Sequence, residues 1–283
     1  INYSQGHNLF MKDKIKVKKE RLDILLVEKG FFKSREMAKR HIMEGIVLVN
    51  DTPVDKAGTK VPSDCRLRIK GNIMPYVGRG GYKLEKAIQA FNLDMKHKIM
   101  ADIGASTGGF TDCALQNGAE KIYAIDVGTN QLDWKLRNDS RVINLEKTNI
   151  KDVTVQMLGE AVDVVATDIS FISVLRIIPA VKSILKEEGA LIILIKPQFE
   201  AGKEKGGKGG VVRGPLIHEE GIRDTIQSFE EEGFVVCDLT YSPIKGGSGN
   251  IEFLALLKFH SEEIFDTSRI SEIVEKAHLE LKR

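Results

Sequence analysis

Three charged residues stand out of apolar runs, and with a fourth upstream they could assemble an active site. Asp168 ends Val-Asp-Val-Val-Ala-Thr-Asp, Lys196 ends Ala-Leu-Ile-Ile-Leu-Ile-Lys, and Glu252 stands in Asn-Ile-Glu-Phe-Leu-Ala-Leu-Leu. Lys83 lies upstream in Gly-Arg-Gly-Gly-Tyr-Lys-Leu, and a glycine-rich turn, Asp102-Ile-Gly-Ala-Ser-Thr-Gly-Gly-Phe110, falls between. A charged residue capping one strand is commonplace. Two lysines and two carboxylates around a nucleotide-type turn are not, because strand ends beside such a turn are where α/β enzymes hold their chemistry.

The turn lacks the Gly-x-Gly-x-x-Gly spacing of dinucleotide sites. It has two companions: Asp102 before it, and Asp126 at the end of the next strand, Ala-Ile-Asp, where a carboxylate can accept hydrogen bonds from ribose hydroxyls. No lysine in the turn could grip a phosphate, so a nucleoside cofactor fits better than a nucleotide. S-adenosylmethionine has a ribose, an adenine and a charged amino-acid end but no phosphate. The candidate cofactor-binding residues are Asp102, Gly104, Ala105, Ser106, Gly108, Gly109, Phe110, Asp126, Val127 and Asn149.

The elements that must position these residues are those of a doubly wound, mainly parallel sheet. Apolar strand candidates are 99–103, 121–126, 141–145, 162–168, 190–196, 234–240 and 251–259, with helical segments between most of them. Only 241–250 separates the last two, which therefore suit an antiparallel edge hairpin. The tail 261–283 reads as a charged amphipathic helix with Ile270, Ile273, Val274 and Ala277 on one face.

Charge sets the N-terminal segment apart. The whole chain of 283 residues carries +2, yet residues 11–74 hold 16 lysines and arginines against 9 acidic residues. A basic module of that kind suits a polyanionic partner, joined here to an acidic catalytic body. Within it, Leu22, Leu25 and Leu26 have helical spacing ended by Gly30, and Ser34 is placed to cap a second helix, 35–44, ended by Gly45. A strand at 46–49, a turn at Asn50-Asp51 and a strand at 65–70 complete it. These residues resemble the S4 RNA-binding domain, which implies that Arg21, Arg35, Lys39 and Arg40 face RNA and meet phosphates by shape and charge.

Residues 1–15 are set aside as an appended segment and flexible start, since Met11 resembles a natural start. The expected domains are then 16–71, a glycine-rich linker at 72–81, and 82–283. Met11 is followed by charge rather than an apolar core, and no apolar run approaches the roughly 18 residues of a membrane span, so a cytoplasmic protein is expected. Cys65, Cys113 and Cys237 are isolated and the six histidines scattered, so neither disulfide nor metal is expected.

Gly80-Gly-Tyr-Lys-Leu, Asp102-Ile-Gly-Ala-Ser-Thr-Gly-Gly-Phe-Thr, Leu136-Arg-Asn-Asp, Thr167-Asp-Ile-Ser-Phe-Ile-Ser, Lys196-Pro-Gln-Phe-Glu and Gly247-Ser-Gly-Asn-Ile-Glu-Phe follow one another in this order. Together, over residues 16–260, they resemble the hemolysin A (TlyA) family, in which an S4 domain precedes an FtsJ-like methyltransferase domain. The resemblance implies a Rossmann-like seven-stranded fold that uses S-adenosylmethionine. It also implies a ribosomal RNA or ribosomal-subunit partner methylated at a cytidine ribose 2′-oxygen, and a catalytic tetrad of Lys83, Asp168, Lys196 and Glu252. One departure is Ile73-Met-Pro-Tyr-Val77, where family members carry an Arg-x-Trp-Val segment between domains.

A ribose hydroxyl is a poor nucleophile, so it needs in-line placement and help with its proton or developing charge. Lys196 is expected at the reacting oxygen, oriented by Asp168, with Lys83 and Glu252 holding the ribose. The loop 201–213, rich in glycine and basic residues, is expected to order over RNA as a lid. Two alternatives belong to other classes: a non-catalytic RNA-binding assembly factor, and a cytolysin. Base methylation is disfavoured because Thr167-Asp-Ile-Ser-Phe offers neither a Pro-Pro-Tyr-like clamp nor a cysteine nucleophile.

Overall fold

The computed structural model describes residues 18–32, 34–71, 74–200 and 211–282. The chain divides into two compact units, Ile1–Ile73 and Met74–Arg283. The first contains β1 (Lys19–Arg21), α1 (Leu22–Glu28), α2 (Arg35–Met43), β2 (Val47–Val49), β3 (Thr52–Pro53), β4 (Lys60–Pro62) and β5 (Leu67–Ile69). Ser34 caps α2, its hydroxyl accepting from Met37 N at 3.2 Å. Gly30 and Gly45 follow the two helices at φ 77° and 69°, a backbone state favourable to glycine.

The strands pair β3-β2-β5, antiparallel throughout, with the turn at Asn50 and Asp51 taking positive φ at both positions. Such a turn matches the twist of a tight hairpin. A separate β1–β4 ladder has no counterpart in the sequence expectation. Lys-Glu-Arg carries no apolar alternation to betray a strand, and it is held by backbone bonds such as Leu22 N to Thr59 O.

Leu22, Leu26, Ala38, Ile42 and Val47 form this unit's core. Asp23 is buried beside them with no exposed surface. Arg21 Nε and Arg35 Nη2 donate to its two carboxylate oxygens at 3.0 and 2.9 Å. The hydrogen bond from Arg21 leads the forces that hold the Asp23 carboxyl down at about 2, against the opposing effect of burial.

The larger unit contains α3 (Gly80–Ala90), β6 (Ile99–Ile103), α4 (Gly109–Gln116), β7 (Lys121–Ile125), α5 (Trp134–Arg137), β8 (Val142–Leu145), α6 (Val155–Leu158), β9 (Val162–Thr167) and α7 (Ile178–Ile184). It continues through β10 (Leu185–Ile195), α8 (Pro197–Glu200), α9 (Pro215–Glu231), β11 (Val235–Tyr241), β12 (Phe253–Lys258) and α10 (Ile270–Glu280). Seven strands order as β11-β12-β10-β9-β6-β7-β8, all parallel except for β12, which runs antiparallel to both neighbours. This is the Rossmann-like α/β sheet expected, closed at one edge by the anticipated hairpin.

Side-chain alternation splits the core in two. Ala101 and Ile103 pack on one face with residues of α7, α9 and α10, whereas Met100 packs on the other with Leu84, Ala87, Phe110 and Cys113 of α3 and α4. The C-terminal helix docks on the first face through Ile270, Ile273, Val274 and Ala277. Strand β10 begins at Leu185 rather than Ala190, joined through a register shift between those residues. The segment 72–81, expected as a linker, is from Met74 part of the larger unit. Tyr76 is buried in its core, and Val77 N donates to Asp112 Oδ2 at 2.9 Å.

Replacing Asp23 by alanine leaves Arg21 and Arg35 without their shared anion. A loss of about 1–3 kcal/mol from the N-terminal unit is expected, the usual cost of removing a charged hydrogen-bonding partner. Urea denaturation of Asp23→Ala, followed by a probe in that unit, measures it.

Candidate active site

The sheet registers bring the four charged residues to one edge. Thr167 at the end of β9 pairs with Ile193 of β10 and with Ile103 of β6, so Asp168 emerges beside the glycine-rich turn. Ile195 pairs with Phe253. Because β12 is antiparallel, its first residues share an edge with the last residues of β10, and Glu252 comes alongside Lys196. The sequence pattern suggested a polar residue at a strand end; Glu252 precedes a strand start, and only the direction of β12 reconciles the two.

Lys83 arrives from helix α3, which lies close against α4. A Cβ on Gly109 would stand 2.8 Å from Gly81 N, and one on Gly81 would stand 2.2 Å from the Tyr76 ring. Glycine at both positions therefore permits the approach. Lys83 Nζ donates to Asp168 Oδ2 at 2.8 Å and lies 2.9 Å from Glu252 Oε2, the latter an ion pair without hydrogen-bond alignment. Lys196 Nζ stands 2.6 Å from Asp168 Oδ1 and donates to Ser170 Oγ at 2.7 Å.

Lys83, Lys196 and Glu252 are buried. Burial works against the ammonium of Lys83, but Asp168 and Glu252 outweigh it and hold its pKa above the usual lysine value. Burial likewise raises Asp168, and the two lysines more than reverse that, leaving its carboxyl below the ordinary range. Asp168 thus stays ionised and Lys83 charged across the neutral range.

Asp102 has a different environment. Thr111 donates to its Oδ2 through N at 3.0 Å and Oγ1 at 2.6 Å, while Oδ1 is buried with no partner. Burial, opposed by the Thr111 hydrogen bonds, pushes this carboxyl up to about 7. Gly104 follows at φ 81°, and a Cβ there would lie 2.8 Å from the Asp168 carbonyl oxygen.

A cleft of about 350 Å³ joins these groups. Of the expected residues it is lined by Lys83, Asp102, Gly104, Ala105, Ser106, Gly109, Phe110, Asp168, Lys196 and Glu252. Gly108, Asp126, Val127 and Asn149 do not line it. Gly108 sits at φ 95° before α4, where a Cβ would strike Leu136 at 2.2 Å, so its glycine answers to packing. Asp126 braces the turn from behind, accepting from Ser106 N at 2.8 Å and Gly128 N at 2.7 Å. Val127 is exposed beyond it, and Asn149 caps a short turn by accepting from Lys151 N.

The cleft also contains residues that sequence reasoning passed over, among them Ser170, Phe171, Gln198, Phe199 and Ser248. Ser170 and Gln198 each stand two places beyond a tetrad member, a signal present in the motifs. Phe171 lies in the same motif but in no periodic pattern: the residue is 89% exposed at φ 70°, its ring tilted against Phe199 at 5.8 Å. Residues 201–210 of the expected lid lie outside the described residues. Among the described residues no group of three potential ligands could hold a metal, and no helix is long and apolar enough to cross a membrane.

A buried Lys-Asp-Lys-Glu cluster thus stands beside a glycine turn on a seven-stranded sheet with one antiparallel strand. The FtsJ-like methyltransferase family matches residues 76–259 and the S4 domain residues 20–64. Bacillus subtilis YqxC, whose name assigns it provisionally to rRNA methyltransferases, is 49% identical over 94% of this chain and 96% of its own. Hemolysin A of Brachyspira hyodysenteriae is 43% identical over 83% of this chain and 98% of its own. The 16S/23S rRNA (cytidine-2′-O)-methyltransferase TlyA of Mycobacterium tuberculosis is 35% identical over 92% and 97%. A solved structure from Streptococcus thermophilus, provisionally named a hemolysin, superposes with a TM-score of 0.73 at 46% identity, covering 94% of this chain and 98% of that one. The chain belongs to the FtsJ-like methyltransferase family, in its S4-bearing TlyA branch.

Gly104→Ala forces a side chain into left-handed backbone against the Asp168 carbonyl. A destabilisation of about 1–3 kcal/mol is expected, the usual range for such backbone strain. Chemical denaturation of Gly104→Ala beside the parent protein measures it.

Proposed function

We propose that this protein transfers a methyl group from S-adenosylmethionine to the 2′-hydroxyl of a cytidine ribose in ribosomal RNA, working in the cytoplasm on RNA or ribosomal subunits. The observation that carries the reading is the pair of buried lysines flanking Asp168 in a cleft that Asp102 and Gly104 also line. The cofactor fits the residues present. The buried, unpartnered Oδ1 of Asp102 suits an ammonium group, and Gly104 leaves room where a Cβ would intrude. When bound, S-adenosylmethionine supplies an electrophilic methyl group on a sulfonium.

The chain's own residues supply the rest. Asp168 splits its two oxygens between the lysines and so fixes both ammonium groups in place. Lys196 is tied to one carboxylate oxygen and one hydroxyl, which leaves a third N–H for the ribose oxygen as negative charge develops on it. Lys83 is held by two carboxylates and serves mainly to position Asp168 and Glu252. The exposed face of Phe171 at the cleft offers a surface on which an unstacked base can rest. In the N-terminal unit, Arg21 and Arg35 are oriented by Asp23 and remain partly exposed for phosphates, with Lys39 and Arg40 on the same helix face region.

Lys196→Ala and Asp168→Ala are each expected to lower methyl transfer to unmodified ribosomal subunits by at least about 100-fold, the scale of a lost proton-transfer or charge-stabilising group. Circular dichroism confirms folding. Full turnover by a folded variant contradicts the assignment.

Asp102 adds a pH dependence. Its folded-state pKa of about 7 exceeds the ordinary 3.8, so the folded protein binds more protons between those values and loses stability as pH rises through that window. A cation at Oδ1 favours the carboxylate. Cofactor binding at about pH 6.5 is therefore expected to release a proton, and affinity to rise toward about pH 8. Calorimetry in buffers of different ionisation enthalpy measures that proton; Asp102→Asn should abolish its release.

A further inference from the structure

We infer that Gln198 reads the base edge of the target nucleotide, an assignment that rests on the proposed ribose methylation. Gln198 lines the cleft two residues beyond Lys196, and its Oε1 is buried without a hydrogen-bond partner. Among the described residues it is the only side-chain amide with such an orphaned atom. A buried acceptor left unpaired costs free energy unless a donor arrives, and a ligand is the natural source in a cleft.

The setting holds the turn that carries Gln198 in place. Phe199 N donates to Lys196 O at 2.8 Å, and Glu200 accepts from Ser173 Oγ at 2.6 Å and Val174 N at 2.9 Å, anchoring the turn on both sides of Gln198. Strand order places Gln198 away from the cofactor turn. It follows β10, whereas the turn follows β6, with β9 between them. Gln198 thus lines the cleft on the side away from that turn, together with Phe171 and Phe199, whose rings pack against each other.

The chemistry suits cytosine. With the ribose fixed at Lys196 and the amide oriented as it is here, Oε1 accepts from the N4 amino group of cytosine and Nε2 donates to N3. Uracil presents O4 and N3–H in those positions, so acceptor meets acceptor and donor meets donor. A bidentate pair of this kind commonly discriminates by tenfold or more.

The test uses the full-length protein on ribosomal subunits lacking the modification, assembled with either the natural cytidine or a uridine at the mapped target. The parent protein should prefer cytidine by about tenfold or more. Gln198→Met and Gln198→Leu, which keep much of the side-chain volume and remove the amide, should both bring the ratio close to one while leaving cofactor affinity unchanged. A preference that survives in either folded variant overturns the assignment, as does an equal loss on both substrates. If the parent protein methylates no ribose, the proposed function itself falls and this inference with it; an active parent with a surviving preference removes only the role of Gln198.

Discussion

Two ammonium groups cannot be buried side by side without anions between them, and Asp168 is the anion that makes the arrangement possible. Its Oδ2 takes Lys83 and its Oδ1 takes Lys196, while Glu252 supplies the second negative charge. Two positive and two negative groups balance within one small volume. Removing one partner would strand a buried charge, which costs several kcal/mol, far more than the pair itself contributes to stability. In the proposed function the cluster places a cation at the reacting oxygen, a role its modest contribution to stability leaves open.

Much of the surrounding structure serves that placement. β9 and β10 run parallel and deliver Asp168 and Lys196 to one edge, and β12 reverses direction so that Glu252 reaches the same edge from the other side. Helix α3 brings Lys83 across the top, which requires the close contact at Gly81 and Gly109. The cofactor half is built on different terms. Asp102 keeps one oxygen satisfied by Thr111 and one oxygen buried and unpaired, and Asp126 holds the turn through backbone donors. One neutralised cluster and one orphaned carboxylate thus stand side by side in the cleft, and the proposed function assigns catalysis to the first and cofactor capture to the second.

The sequence made the tetrad and the sheet legible because buried strands read as apolar runs, and a lone charge at the end of such a run stands out. Lys196 and Asp168 were visible on that ground. Glu252 was visible for a partly mistaken reason, since antiparallel pairing cannot be read from the run itself. Gly108, Val127 and Asn149 adjoin the glycine-rich turn or the strands beside it without lining the cleft: Gly108 answers to packing, Asn149 caps a short turn, and Val127 is exposed. Phe171 was hidden because an exposed aromatic residue with positive φ has no periodicity. The β1–β4 ladder escaped because backbone bonds, not an apolar pattern, define it.

Where the methyl group goes decides whether the cluster acts as proposed. Mapping 2′-O-methyl positions in ribosomal RNA from cells with the gene deleted, then restored with the parent sequence or with Lys196→Ala, reads this directly. One or more cytidine 2′-O-methyl marks should vanish on deletion, return with the parent sequence and stay absent with Lys196→Ala. Unchanged ribose methylation on deletion, or full restoration by Lys196→Ala, would contradict it.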